Sequence, residues 1–396
     1  MVERSGQAGR TAATGLARPP VDLIGDYRPG DFFLASRNGM LLATGSEDAG
    51  ASGETAADPA GRIRAMLAAA KPGSLVVGAI PFDANRPACL TVPRVIHRGP
   101  PPRAARSSAR HPGPVSVHAE PAPEVYTAGV RTALARMSGT ELEKVVLARS
   151  LAVNAGAPVE VAAVLRALAG PDPFGYTFAV GLGDSTLVGA SPELLVSRRG
   201  NGVFANPLAG TRPRHADPVR DGRHATSLLG SAKDRLEHGI VVEAIADGLR
   251  PFVRKLTVSA PELLPTSALW HLSTRISGEL VDDEVSSADL ALALHPTPAV
   301  CGTPPSVARD TITEIETFDR GFYTGLVGWC DDTGDGEWVV AIRCGAVHDD
   351  TVRLFAGAGI VPGSRPEEEL AETSAKFRTL MSALGYPDED LGRSTK

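Results

Sequence analysis

Cysteine, lysine, long apolar runs and net positive charge are all scarce in this 396-residue sequence, and each scarcity removes a class of protein. The four cysteines, Cys89, Cys301, Cys330 and Cys344, are scattered, and none forms a Cys-x-x-Cys pair. Neither a zinc knuckle nor a disulfide framework is indicated, and reduced buried thiols are the simplest reading. The longest apolar stretches, such as Leu75 to Ile80, are far too short to span a bilayer. Residues 1–20 carry arginines but no apolar core, so they read as a disordered tail and not as a signal peptide. A formal net charge of −6 leaves no basic footprint for nucleic acid. These absences imply a cytoplasmic protein with no nucleic-acid and no membrane partner. They also imply that any anionic substrate needs positive charge gathered locally.

Lysine is the most informative scarcity. Lys71, Lys144, Lys233, Lys255, Lys376 and Lys396 are the only lysines among 40 basic residues. Where arginine serves as surface charge, a retained internal lysine invites a chemical question. Lysine can lose its proton when desolvated, and arginine effectively cannot.

What is present is an ordinary globular balance, 43% hydrophobic and 22% charged, in a chain long enough for one large domain or two to three smaller ones. Residues 31–45 read as a hairpin about a type I′ Asn38-Gly39 turn. A helix-like stretch from Ile63 to Ala70 precedes the strand-like Leu75 to Ile80. Residues 98–123, rich in Pro, Arg, Ser and Ala without an apolar period, read as a surface loop or linker. They divide an N-terminal part of the fold, residues 21–97, from a denser region over 124–390. There, 126–137 reads as helix, 144–151 as strand, and 174–204 as strands punctuated by turns. Residues 231–253 read as a helix with Leu236, Ile240, Val241, Ala244 and Leu249 near one face. Strand patterns return at 323–330, 338–344 and 352–355, before a final helix from about Pro366 to Leu384, with Ser364 and Glu367 as a capping box. Strands in blocks separated by helical blocks predict an α+β fold with large, mostly antiparallel sheets flanked by helices.

Four separated segments carry the chemistry. They are Glu143-Lys144-Val145-Val146-Leu147-Ala148-Arg149; Gly189-Ala190-Ser191-Pro192-Glu193 with Pro207-Leu208-Ala209-Gly210-Thr211 after it; Lys233-Asp234-Arg235-Leu236-Glu237-His238; and Ala356-Gly357-Ala358-Gly359-Ile360 followed by Glu369-Leu370-Ala371-Glu372 and Lys376. On a helix, Glu369 and Glu372 share a face, with Lys376 four residues on. Such a face is usually solvated, and a lone Arg343 in an apolar strand suits a sheet edge equally well. In this order, however, the four segments resemble the chorismate-utilising enzymes, and among them the isochorismate synthases of the siderophore (2,3-dihydroxybenzoate) type. The likeness covers roughly residues 120–385.

The resemblance implies a chorismate-binding fold, with 124–390 as its catalytic region, and a magnesium-dependent conversion of chorismate to isochorismate. It makes Glu237 and Glu372 metal ligands, with Glu369 as a further one; hard oxygen donors from separate segments suit magnesium. Asp234 receives no metal role, since a helix-surface carboxylate explains it. Arg343 is assigned the enolpyruvyl carboxylate, a task suited to a bidentate guanidinium. Tyr323, His271, Gly210, Thr211, Ala299, Val300 and Lys376 fall at substrate-lining positions, and Gly357 and Gly359 would let backbone N–H groups approach an anion. Moving a hydroxyl from ring C4 to C2 needs a base and an acid, and the resemblance makes Lys144 the base and Glu193 the acid.

Within the family, aminodeoxychorismate synthases place a nucleophilic lysine where this chain has Ala209. Anthranilate synthases typically lack the lysine at 144 and need an ammonia-supplying partner, so no obligate glutaminase is expected here. Salicylate synthases usually carry a threonine near Ala299 and remain the alternative, as does a non-catalytic chorismate-binding scaffold. The scaffold reading predicts loss of Lys144, Glu193, Glu237 or Glu372, and all four are present.

Overall fold

The computed structural model describes residues 22–47, 58–83, 85–102, 116–169 and 175–386. The expected tail over 1–20 lies outside them.

Two large sheets form the frame. The ten-stranded sheet runs Gly302–Thr303, Lys144–Asn154, Thr351–Ile360, Cys344–His348, Thr186–Ser191, Tyr176–Gly181, Phe32–Ser36, Gly39–Thr44 and Val95–Gly99, with Ser116–Glu120 pairing on Lys144–Asn154. The eight-stranded sheet runs Val253–Val258, Ile276–Leu280, Gly202–Asn206, Leu194–Arg199, Gly336–Val340, Leu326–Asp331, Leu75–Ile80 and Cys89–Thr91. A small third sheet joins Leu208–Pro213, Leu269–Ser273 and Glu262–Pro265. Every pairing among the described strands is antiparallel, as the α+β reading expects.

Strand alternation explains the layering. On Phe32–Ser36, Phe32 and Leu34 point between the sheets, while Phe33 and Ala35 pack with the helices Val161–Ala169 and Pro366–Ala383. On Leu75–Ile80, Leu75, Val77 and Ala79 point between the sheets; Val76 and Ile80 pack with the helices Pro59–Ala69 and Ser287–Leu294. Both faces are buried, so these strands read as unbroken apolar runs without a polar period. Each Phe or Leu so buried stabilises the fold by about 1.5–3 kcal/mol.

Several local expectations are corrected. In the 31–45 hairpin Ser36 pairs with Gly39, so Arg37 and Asn38 form the turn, and the positive φ at this bend (142°) falls on Gly39 and not on Asn38. Residues 98–123 are not all loop. Ser116–Glu120 adds a strand to Lys144–Asn154, and residues 103–115 lie outside the described residues. The final helix, Pro366–Ala383, has Arg365 at its N-cap without a side-chain cap bond, so Ser364 and Glu367 form no capping box; the Ser364 hydroxyl accepts from Val361 N instead. The 231–253 helix is Ala232–Leu249, and its buried face is Asp234, His238, Val241, Ile245 and Leu249. Leu236 and Ala244 are exposed. Hydrophobic periodicity misplaced that face because two polar residues occupy it, each with a partner. Asp234 pairs with Arg212 at 2.7 Å, and His238 Nε2 lies 2.8 Å from Thr274 Oγ1. Asp234 is therefore not a surface carboxylate.

Gly328 pairs with Trp338 across two strands of the eight-stranded sheet, and the buried indole lies against it. A Cβ at Gly328 would overlap Glu337 O and come 2.7 Å from Trp338 Cε3. Gly328→Ala should destabilise the protein by about 1–3 kcal/mol in urea unfolding, the usual cost of overpacking. Gly139→Ala, with open space around it, should stay within about 0.5 kcal/mol.

Candidate active site

The site is built on one ladder. Lys144–Asn154 pairs with Thr351–Ile360 over ten positions, placing Gly359 opposite Val146 and Gly357 opposite Ala148. Directly paired residues share a face, so Lys144, Val146, Ala148, Gly357 and Gly359 look the same way. Over this face comes Glu237 from the helix Ala232–Leu249, which Ser231 caps by accepting from Asp234 N at 3.2 Å. Lys144 is wholly buried, with Nζ 3.1 Å from Glu237 Oε1. That is ion-pair distance, but the pair lacks the alignment of a directed hydrogen bond. A Cβ at Gly359 would overlap Glu237 Oε1 and stand 3.0 Å from Lys144 Cε; one at Gly357 would meet the Tyr323 hydroxyl at 2.9 Å. The glycines therefore leave room for charged and hydroxyl side chains. They sit in a continuous strand, not in the turn their composition suggests.

Glu193 lies between the strands Thr186–Ser191 and Leu194–Arg199, its backbone held by Ser191 Oγ at 3.2 Å and by Val340 N at 3.1 Å. It is 2% exposed, and Oε1 has no hydrogen-bond partner. Burial pushes its pKa up to about 7, against the opposing pull of the Leu208 N–H and of Lys144, Arg343 and Lys376.

Two more lysines hold the remaining acidic candidates. Lys376 Nζ donates to Glu372 Oε1 at 2.6 Å and to Gly357 O at 2.7 Å, and Lys233 Nζ donates to Glu369 Oε1 at 2.6 Å. Burial and the neighbouring Glu372 charge raise the Glu369 pKa. Desolvation would raise the pKa of the half-buried Glu372, yet Lys376 holds it below the usual value. Arg149 ties the helix carrying these residues to the ladder, donating to Thr373 Oγ1 at 2.8 Å and Ser374 Oγ at 2.6 Å. Among the described residues, no three His, Cys, Asp or Glu side chains already stand close enough together to hold a metal ion. Glu237 and Glu372 line the cavity, whereas Glu369 sits behind it, 2% exposed.

The other walls come from bends. Arg343 is not a strand residue; it lies between Gly336–Val340 and Cys344–His348 with φ 50°, and its carbonyl accepts from Ala190 N at 3.1 Å. Its guanidinium is buried and forms no ion pair. Tyr323 likewise precedes its strand, in a turn, and stacks on Phe355 with centroids 5.2 Å apart. Ala299 and Val300 sit in a turn in which Thr297 Oγ1 accepts from Ala299 N at 3.2 Å. His271 faces Thr211, Nδ1 to Oγ1 at 3.3 Å, and burial drives its pKa well below the ordinary value, so the ring is neutral. Gly210, with φ 77°, sits at a register shift beside Thr211.

The structure thus gathers all the substrate and acid–base candidates round one cavity of about 60 Å³, with Lys144 directly behind Glu237 and Gly359. Sequence reasoning missed Val146, Pro192, Leu208, Thr324 and Ile342, which also line it. Apolar and small residues of this kind carry no chemical signal in a sequence. It also missed Lys233, whose scarcity was the available clue.

A family model described as chorismate binding enzyme matches residues 99–385. The chain belongs to the chorismate-binding enzyme family. It is 48% identical over 380 residues to isochorismate synthase DhbC of Bacillus subtilis, covering 92% of this chain and 96% of that one. It is 40% identical over 366 residues to the vibriobactin-specific isochorismate synthase of Vibrio cholerae, covering 91% and 93%. Among solved structures it is similar to a putative 2,3-dihydroxybenzoate-specific isochorismate synthase, DhbC, from Bacillus anthracis. That match has a TM-score of 0.85 and 44% identity, and covers 92% of this chain and 99% of that one.

Glu193 yields a pH prediction. Its folded pKa, about 7, exceeds the ordinary glutamate value of 4.5, so the folded chain keeps a proton that the unfolded chain loses. The stability this contributes is complete below the unfolded pKa and is lost as pH rises through the folded one. Between about pH 5 and about pH 8, wild type should lose up to about 3 kcal/mol relative to Glu193→Gln in urea unfolding. A difference independent of pH would show that the carboxyl is unshifted.

Proposed function

We propose that this chain is an isochorismate synthase of the catechol-siderophore type, adding water at ring C2 of chorismate and releasing the C4 hydroxyl as water. The observation that carries this reading is a cavity walled by a buried carboxyl poised near neutrality, with a fully buried lysine directly behind its Glu237 and Gly359 wall. Lys144 takes a proton from the incoming water as its oxygen bonds to C2. Glu193 gives its proton to the departing C4 oxygen while the ring double bonds shift. One water enters and one leaves, so the net change is an isomerisation. Arg343, buried without an ion pair, takes the enolpyruvyl carboxylate, and Tyr323 and neutral His271 add polar contacts beside it.

A divalent cation fits the carboxylates, and magnesium fits best. It keeps several waters and uses only one or two protein carboxylates alongside substrate oxygens, which Glu237 and Glu372 supply, with Glu369 behind them. When bound there, it supplies counter-charge for the ring carboxylate. Lysine 144 and Ala209 point to water and not an amine as the nucleophile, so no glutaminase is needed. Free cysteines and the absence, among the described residues, of any helix long and apolar enough to cross a membrane fit a cytoplasmic enzyme.

Incubation with chorismate and magnesium, with chromatography of the products, tests the reading. Isochorismate should accumulate with no more than trace pyruvate, because Ala299 offers no hydroxyl to favour the elimination pose. Pyruvate in step with chorismate loss would make this a salicylate synthase. Excess chelator should abolish turnover, and Glu237→Gln should weaken magnesium binding in calorimetry. Lys144→Ala should lower kcat by about 10²-fold or more with an unchanged circular dichroism spectrum; near-normal turnover would make Lys144 structural.

A further inference from the structure

Arg320 touches nothing in the cavity, yet it holds much of the cavity's wall. Its buried guanidinium is clasped by Glu316, Nε to Oε2 at 2.8 Å and Nη2 to Oε1 at 2.5 Å, with both side chains 3% exposed. The outward N–H groups reach three separate stretches of chain. Nη2 donates to Val146 O at 2.7 Å, and Nη1 donates to Val300 O at 2.8 Å and to Thr324 Oγ1 at 3.3 Å. Glu316 Oε1 also accepts from Ala148 N at 2.8 Å, and the guanidinium lies over the Phe82 ring at 4.6 Å. Val146, Val300 and Thr324 all line the reaction cavity, as does Tyr323, whose N–H donates to Arg320 O at 2.9 Å.

Two features show that these bonds, and not packing alone, set the wall. Beside the pair lies an open groove of about 600 Å³, lined by Phe82, Ile312, Phe318, Glu316 and Arg320 together with the polar Asn85, Arg309 and Asp319, so the wall is not backed by close-packed core on that side. Thr324 is held at φ 61°, a conformation that a β-branched residue keeps only when its surroundings fix it. A buried ion pair is weak evidence for stability, whereas a planar fork meeting two carbonyls and a hydroxyl fixes their relative positions.

We propose that Arg320, clasped by Glu316, is a positioning residue that sets the spacing of Val146, Val300 and the Tyr323–Thr324 turn for the reaction. This rests on the isochorismate synthase reading. Arg320→Lys keeps the charge but loses the fork. Glu316→Gln keeps the fork but weakens the clasp. Each variant is compared with wild type for KM, kcat, pyruvate fraction and Tm, with chorismate and magnesium. Misplacement of a substrate-contacting wall should raise KM for chorismate about tenfold or lower kcat by up to about a hundredfold, and raise the pyruvate fraction. A merely structural role would lower Tm and the active fraction while leaving KM and the product ratio at wild-type values, and that outcome overturns the proposal. Failure of both variants to fold overturns it as well. Wild type that leaves chorismate untouched would refute the reaction itself, an outcome distinct from either.

Discussion

A slip of one residue in the ladder between Lys144–Asn154 and Thr351–Ile360 would turn Lys144 away from Glu237 and the cavity wall and bring a side chain to where Gly359 now stands. Side chains alternate with a period of two, so register alone decides which residues of a strand can do chemistry. Here ten consecutive pairs fix it. The register puts two glycines opposite Val146 and Ala148, and into that hollow come Glu237 from one helix and the Tyr323 hydroxyl from a turn. Everything else in the site is arranged round this opening. Arg149, five residues after Lys144 and so on the opposite face of the strand, fastens the helix bearing Glu372 and Lys376 to the same ladder.

The second constraint is charge. The chain carries a formal −6, yet Lys144, Lys233, Lys376 and Arg343 gather around three carboxylates and one carboxyl that burial holds near neutrality. Three of the six lysines are spent here. Each lysine is paired with one carboxylate, which offsets the desolvation that an unpaired buried ion would suffer. Arg343 is the exception among these four, and an unpaired buried guanidinium is a standing attraction for a carboxylate. A dianionic substrate such as chorismate brings its two carboxylates to a site already stocked with both signs of charge.

What could be read from the sequence was chemistry and alternation; what could not was conformation. Leu75–Ile80 and 144–151 were legible because apolar runs bounded by turns survive burial on both faces. The candidate residues were legible because lysines are rare and the motifs fall in a known order. The buried face of Ala232–Leu249 was not, since Asp234 and His238 are satisfied by Arg212 and Thr274, residues distant in sequence. Ser116–Glu120 was hidden in a proline- and arginine-rich stretch because a strand at a sheet margin needs little apolar surface of its own. The strand setting of Gly357 and Gly359 was not legible, for glycine composition alone cannot separate a bend from a close approach.

Conformation is also where the site spends stability. Among the described residues, four that are not glycine hold positive φ, and two of them, Arg343 at 50° and Thr324 at 61°, line the cavity. Each departs from ordinary backbone at the end of a strand, and each is tied in place by its neighbours. The Arg343 carbonyl accepts from Ala190 N at 3.1 Å, while Thr324 N donates to Ala341 O at 2.8 Å. Strain of this kind persists only where surrounding bonds over-determine it. The two antiparallel sheets supply that surplus: their strands are long enough to fix register, and they end where the chain must bend. Left-handed bends at those ends let Arg343 and Tyr323 join a cavity backed by the buried Lys144, the first residue of its strand.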